Sequence, residues 1–492
     1  MSISKTENKV VVVGAGLGGL ALACRLAARG KEVLVFDQAA GPGGKAGQLN
    51  LGDFYFDRGP SLFTMPDYVD EVFHAAGKNP RDYYTYSKLD TLCHYFFSDG
   101  LKLKASADRK AFAAEVELQT GESAKRVLDF LAESERIHAL TEEVFIRRSL
   151  HRLKTYFTRA IWRGILGFKH IRAFETMEER IRFYFKYPQV QQLFLRYATY
   201  NGSSPYKAPA TLNVIPHLEF GIGAYMPLGG IYAIPQALHQ LAMDLGVQFR
   251  WNEKVSEILF SDGKVDGVKT ELNSYAAQAV VSNADVVPTY RKLLPSLKAP
   301  EKVLAQERSS SALIFYWGMN REFPELDVHN IFFSGDYKAE FRCLFESEEP
   351  FADPTVYVHI SAKVCAEHAP EGKENWFVMI NAPRHQGQNW PTVAQGIKER
   401  ITKKLSEALQ VDIGACIEEE DLLTPEMIDL RTSSFQGSLY GTSSNNRFAA
   451  FLRHANKSKE LDGLYFCGGS VHPGGGIPMV MSSAKIVSDW MS

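Results

Sequence analysis

Apolar positions along this chain fall into distinct rhythms. Residues 10–13 are four valines with no polar alternation, which predicts a strand buried on both faces of a parallel sheet. A helical rhythm over 17–29 is stopped by Gly30, and a second apolar run ends on Asp37. Further strands are read at 247–251, 254–260, 265–271 and 279–282, with Asp262-Gly263-Lys264 as a hairpin turn and a helix over 231–245. Between 309 and 430, runs such as 312–317, 355–360 and 376–381 are separated by turns and predict a second sheet on the substrate side. A last short strand, 464–467, precedes Gly468-Gly469, and Pro478 opens a closing helix at a position proline favours. Strands alternating with helices predict an α/β fold.

One stretch differs in kind. Residues 144–174 contain no acid, while Arg147, Arg148, Arg152, Lys154, Arg159, Arg163, Lys169 and Arg172 are basic. Leu150, Leu153, Phe157, Ile161 and Phe168 recur at near-helical spacing, so the segment predicts a basic amphipathic helix lying on an anionic membrane surface. The competing reading is a core helix with a solvated basic face.

Composition narrows the picture. The chain has 492 residues, 45% hydrophobic and 23% charged, which suits a globular protein of more than one domain. Lys and Arg number 55 against 57 Asp and Glu, so no global field attracts nucleic acid, and none is expected as a partner. Six cysteines at irregular spacing, with no CxxC pair, fit neither a disulfide framework nor a metal site and point to the cytoplasm. No signal peptide is read at the N-terminus, and no apolar run reaches the roughly 18 residues that span a bilayer. Asp53, Asp57, Asp67 and Asp70 are spread out and read as solvated surface. His217 and His359 are isolated and receive no catalytic role.

The candidate chemistry lies in three glycine clusters. Gly14, Gly16 and Gly19 form GxGxxG between the first strand and first helix, with Gly18 beside them and Asp37 eighteen residues beyond Gly19. That spacing gives a tight turn, close backbone approach to a pyrophosphate and close helix packing, with the acid placed for ribose hydroxyls. The motif alone leaves NAD and FAD open. A second cluster, Gly41 to Gly47, includes Gly43, Gly44 and Lys45, whose ammonium would serve phosphate; Gly59 follows in a turn after a short strand. The third, YFCGGSVHPGGGIPM, packs five glycines and two prolines between a strand and a helix, as backbone laid against a flat ligand would require.

GAGLGGLALACRLAARG, PGGKAG, FDRGPSLFTMP, VVSNADVVPTY, DPTVYVHISAK and YFCGGSVHPGGGIPMVMSSAK resemble the bacterial-type carotenoid desaturases, the phytoene desaturase group, over essentially the whole chain. The resemblance implies a Rossmann-like FAD-binding domain of the amine-oxidase type (1–80, 226–290, 455–492), a discontinuous substrate domain with a mixed sheet (81–140, 291–454), and a helical membrane-facing insertion (141–225). It implies FAD as cofactor, a carotenoid drawn from the membrane as substrate, and a peripheral location on the cytoplasmic membrane. Gly14, Gly16, Gly18, Gly19 and Asp37 would hold the ADP part, with Gly43, Gly44, Lys45 and Gly59 along the cofactor and Val255 at the adenine. Gly468, Gly469, Ser470, Gly476, Ile477, Pro478 and Met479 would follow the ribityl chain and isoalloxazine.

The chain departs from that pattern in places. Asp37 stands where the family often has Glu, Lys45 where it has Arg, and Ser470 and Met479 where Thr and Gly are usual. A carboxylate proposed as catalytic in the basic segment of some members has no counterpart, so no catalytic residue is named. The segment around 213–230 leans toward relatives acting at the 3,4-bond of hydroxylated or monocyclic carotenoids. The alternatives are a phytoene desaturase, a flavin amine oxidase of the same fold, and a lipid-binding relative that is not an enzyme.

Overall fold

The computed structural model describes residues 8–158, 162, 164 and 167–492. The valine run forms the strand Lys9–Val13 at the centre of a five-stranded parallel sheet, between Glu32–Phe36 and Ala279–Ser282, with Gln248–Arg250 and Leu464–Phe466 at the edges. Val10 to Val13 are all buried, as a central strand covered on both faces requires. The helix Leu17–Ala27 is buried from Leu17 to Leu26 because it packs under the sheet between the C-terminal helix Ile477–Trp490 and the helix Ala233–Asp244. Beside the sheet, Val255–Ser261 and Lys264–Thr270 form a hairpin whose turn residues Asp262 and Gly263 both have positive φ (46° and 73°), the geometry that asparagine, aspartate and glycine tolerate.

The second sheet has seven strands in the order Ile417–Leu423, Ser311–Met319, Glu374–Ala382, Val356–His359, His329–Phe332, Thr91–Phe96 and Lys102–Ser106. All neighbours are antiparallel except the pair His329–Phe332 and Thr91–Phe96. Alternation along its strands separates two faces. Trp317, Trp376, Val378 and Ile380 point to one side, where the helix Trp390–Leu409 covers them with Trp390, Ile397, Ile401 and Leu405. The other side carries Ile314, Met379, Tyr357 and Ile331 in a single register row, and that row faces the site. A helical layer, including Ala124–Thr141, Met177–Tyr184 and Pro188–Leu195, closes over it around Phe112, Phe130, Phe185 and Phe194. Glu133 and Arg180, both buried, are paired at 2.5 Å inside this layer.

Two expectations need correction. The acid-free segment is not one long helix: its described residues include the end of a π-turn, Glu142–Ile146, a 3-10 turn, Leu153–Phe157, and a four-residue helix, Phe168–Ile171. Leu150 is buried while Phe157 is 83% exposed, so the anticipated apolar stripe does not share one face. Arg159, Ile161 and Arg163, and the side chains of Leu153, Lys154, Phe168 and Lys169, lie outside the described residues. The local charge is also not free. Arg147 bonds to Asp67, Glu71 and Glu142, Arg148 to Glu143 and Arg172 to Glu175, so acids flanking the segment and on the helix Asp67–Ala75 answer these three cations.

The second correction concerns the aspartates. Asp57 is 4% exposed and accepts hydrogen bonds from the amides of Ile231 and Tyr232 at 2.8 and 2.9 Å. Asp70 is buried as well, and accepts from Tyr84 and Arg81. Both tie the N-terminal segments to later ones.

Candidate functional site

The three glycine clusters converge although the chain separates them widely. Gly16 forms an isolated bridge with Gly43, whose amide donates to the Ala15 carbonyl at 2.9 Å. Asn283, at the end of the strand Ala279–Ser282, donates from Nδ2 to the Gly14 carbonyl at 3.2 Å. Its side chain fills the space that a Cβ on Gly18 or Gly468 would enter, 2.7 Å from Asn283 Oδ1 in each case. A Cβ on Gly44 would stand 3.2 Å from Gly16 Cα, and one on Gly59 would overlap the Lys45 carbonyl. Backbone is therefore packed on backbone, and Gly14, Gly43, Gly59, Gly468 and Gly476 hold positive φ. Gly19 packs against the Gly14 carbonyl instead of lining the opening.

Every other expected site residue borders one cavity: Gly14, Gly16, Gly18, Asp37, Gly43, Gly44, Lys45, Gly59, Val255, Gly468, Gly469, Ser470, Gly476, Ile477, Pro478 and Met479. Its volume is about 1520 Å³, beyond the roughly 300–1,000 Å³ of a single small-ligand pocket. Asp37 accepts from the amides of Ala15 and Ala39 at 2.6 and 2.8 Å; burial raises its pKa, and the two amides oppose that rise. The last helix begins at Ile477 behind Gly476, so its unpaired amides face the opening. These features fit FAD: an exposed glycine backbone for a pyrophosphate, an acid beyond the first turn for ribose, and a helix N-terminus for an electron-rich ring.

Some side chains act differently from the sequence reading. Lys45 donates to the carbonyls of Ser438 and Leu439, at 3.3 and 2.9 Å. Burial lowers its pKa to about 8 against the pull of Asp285. Ser470 Oγ accepts from the Val286 amide at 3.0 Å and so holds the turn after Asn283. Sequence reasoning passed over Asn283 and the buried pair Arg308–Asp285. It also passed over Arg453, 5% exposed on the cavity wall beside Gly474, whose pKa burial lowers to about 10. VVSNADVV was visible as a strand end, but what the Asn side chain touches is set by two loops hundreds of residues away.

Beyond the glycines, the cavity continues over the seven-stranded sheet. Its floor is the register row Leu423, Ile314, Met379, Tyr357 and Ile331. Its roof includes Val144, Leu150, Ile171, Leu212 and Ile215 from the helical layer. At one end of this apolar gallery stand Arg196 and Glu219, 5% and 3% exposed and paired at 3.2 Å. Tyr197 and Tyr200 donate to the Glu219 carboxylate, and Arg196 donates to the Tyr95 hydroxyl at 2.6 Å. Away from the cavity, Cys365, Glu367 and His368 bring one possible ligand atom each within 4.8 Å of one another, but His368 Nδ1 is already bonded to Ser361 Oγ at 2.7 Å.

The comparisons agree with this geometry. Residues 17–491 match the flavin containing amine oxidoreductase family. The chain is 46% identical over 482 residues to a 1-hydroxycarotenoid 3,4-desaturase of Flavobacterium sp. (strain P99-3), covering 98% of each chain. It is 33% identical over 499 residues to a zeta-carotene-forming phytoene desaturase of Myxococcus xanthus, covering 99% of this chain and 95% of that one. Among solved structures, the cyclohexylamine oxidase of Brevibacterium oxydans shares the fold, with a TM-score of 0.63 at 13% identity over 99% of this chain and 100% of that one. An α/β fold with a glycine cradle, a mixed sheet beneath one long cavity and matches of this extent lead to one conclusion: the chain is an FAD-dependent oxidoreductase belonging to the flavin containing amine oxidoreductase family, in its carotenoid desaturase group.

Proposed function

We propose that the chain desaturates the 3,4-bond of a hydroxylated or monocyclic carotenoid that it draws from a membrane. The observation that carries this reading is the continuity of one cavity from the glycine cradle to an apolar gallery. A polyene offers almost nothing to hold except apolar area, and a gallery floored by Ile314, Met379 and Ile331 supplies it. FAD in the cradle supplies the hydride acceptor. The chain's own tasks are to bind the polyene, to set one carbon pair beside the cradle and to keep water out.

Membrane docking is the second part of the proposal. Tyr156 and Phe451, 42% and 48% exposed, border the cavity and mark its mouth. Phe157 and Trp162, 83% and 61% exposed, are close in sequence to Tyr156 and to the cavity residue Gly164. Exposed aromatic rings at an apolar mouth suit the headgroup boundary of a bilayer. No helix among the described residues is long and apolar enough to cross a membrane, so the protein would sit peripherally on the cytoplasmic membrane.

The test is anaerobic reduction of the purified flavoprotein by carotenoid in lipid vesicles. Bleaching of the flavin band with red-shifted polyene product is expected. Bleaching by amines and by no carotenoid would overturn the proposal.

A further inference from the structure

His329 stands on the cavity wall at its polar end, is 4% exposed, and has no hydrogen-bond partner at Nε2 among the described residues. The rest of the ring is fixed. Nδ1 is 2.8 Å from the Tyr357 hydroxyl, which is in turn 2.9 Å from Ser61 Oγ. Ser61 lies two residues after Gly59 and borders the same cavity, so this chain of three groups links the polar end of the gallery to the glycine cradle. His359 stacks on the ring with centroids 5.0 Å apart. Burial, His359 and Arg196 together hold the imidazole well below its usual pKa, and it stays neutral.

A neutral imidazole with one nitrogen occupied keeps one donor or acceptor at the other. A buried polar atom left without a partner is costly, and a ligand that supplies the partner recovers that cost. Arg196, Glu219, Tyr197 and Tyr200 satisfy one another, and His359, whose Nε2 also has no partner among the described residues, does not border the cavity. Nε2 of His329 is the open position. A hydroxyl can donate or accept, so it completes the site in either imidazole tautomer, whereas a hydrocarbon terminus leaves it open. A hydroxyl on carbon 1 has its oxygen only three bonds from carbon 3, so a group that reads it must stand near the cradle, as the Ser61 link places His329.

We propose that His329, oriented by Tyr357 and Ser61, binds the hydroxyl on the reacting end of the carotenoid and so selects which end of the polyene reaches the flavin. The inference rests on the carotenoid reading above. It implies that the unread end trails toward the mouth between Tyr156 and Phe451.

The experiment compares kcat/KM for a 1-hydroxylated acyclic carotenoid and for the same carotenoid lacking the hydroxyl, both in vesicles, with the FAD-loaded enzyme. The wild type should prefer the hydroxylated substrate by about ten- to a hundredfold. In His329→Leu the ratio should fall toward one, and His329→Gln, which keeps a polar group, should restore part of it. Tyr357→Phe, which removes the group that orients the ring, should lower the ratio by less than His329→Leu does. Flavin absorbance and thermal melting of each variant establish that it is folded. Equal turnover of both substrates by the wild type, or a ratio unchanged in His329→Leu, would overturn the inference and leave the carotenoid reading standing. If neither polyene reduces the wild-type flavin, the carotenoid reading itself falls.

Discussion

Gly59 shows how much a single hydrogen atom can decide. Its φ is +118°, and a Cβ there would overlap the Lys45 carbonyl. Gly59→Ala is therefore expected to cost about 2 kcal/mol or more and to loosen the flavin, read by thermal melting and by flavin fluorescence released on dilution. An unchanged melting temperature with full flavin content would show that the two backbone segments can part. The need for glycine at such points was legible in the sequence, because spacing and neighbouring strands announce a turn. Asn283, Arg453 and His329 were not legible. A polar residue at a strand end or in an apolar strand carries no mark of the partner it will meet, and the partners of Asn283 come from residues 14, 18 and 468.

At the scale of elements, the sequence reading succeeded where one rhythm determines one neighbour. The strands at 279–282 and 312–317 and the closing helix stand where their patterns put them, as Ala279–Ser282, Ser311–Met319 and Ile477–Trp490. It failed at 144–174 in expecting one amphipathic helix with a free basic face, where Arg147, Arg148 and Arg172 are ion-paired within the protein. Arg147 alone meets three carboxylates, from Asp67, Glu71 and Glu142, and charge counting along one segment cannot see acids on another helix. The docking proposed above therefore rests on the exposed rings and not on these cations. Replacing Phe157 and Trp162 with serine should weaken vesicle binding about tenfold or more, measured by flotation. Arg147→Glu should chiefly lower the melting temperature, since it sets a fourth acid beside three. If Arg147→Glu releases the protein from vesicles without altering its melting point while the double serine variant stays bound, this account of the mouth is wrong.

For the whole molecule, buried titratable groups set the response to acid. His217, His359, His368, His454 and His472 each have a pKa lowered to about 4, chiefly by burial. Their unfolded forms bind protons that the native forms refuse, so native stability rises with pH between about 4 and 6.5. Asp57 and Glu340, raised to about 6 and about 7 by burial, act in the opposite sense. With His329, also held low by burial, these histidines outnumber the two acids, so unfolding at pH 5 should take up protons net. Denaturant titrations between pH 4 and 7 measure this as the slope of unfolding free energy against pH; a flat or falling profile would contradict it.

The parallel sheet has a consequence for how the protein is made. Its central strand, Lys9–Val13, leaves the ribosome first, while its edge strand, Leu464–Phe466, and the helix Ile477–Trp490 that covers Leu17–Ala27 leave last. At about 5–20 residues per second, roughly 20–90 seconds separate the two. During that interval the buried faces of the first strand and helix lack their final cover, and the cradle lacks Gly468 to Met479. Complete flavin capture thus waits for Gly468 to Met479, and a nascent chain stalled before Leu464 carries an open sheet edge and an incomplete cradle.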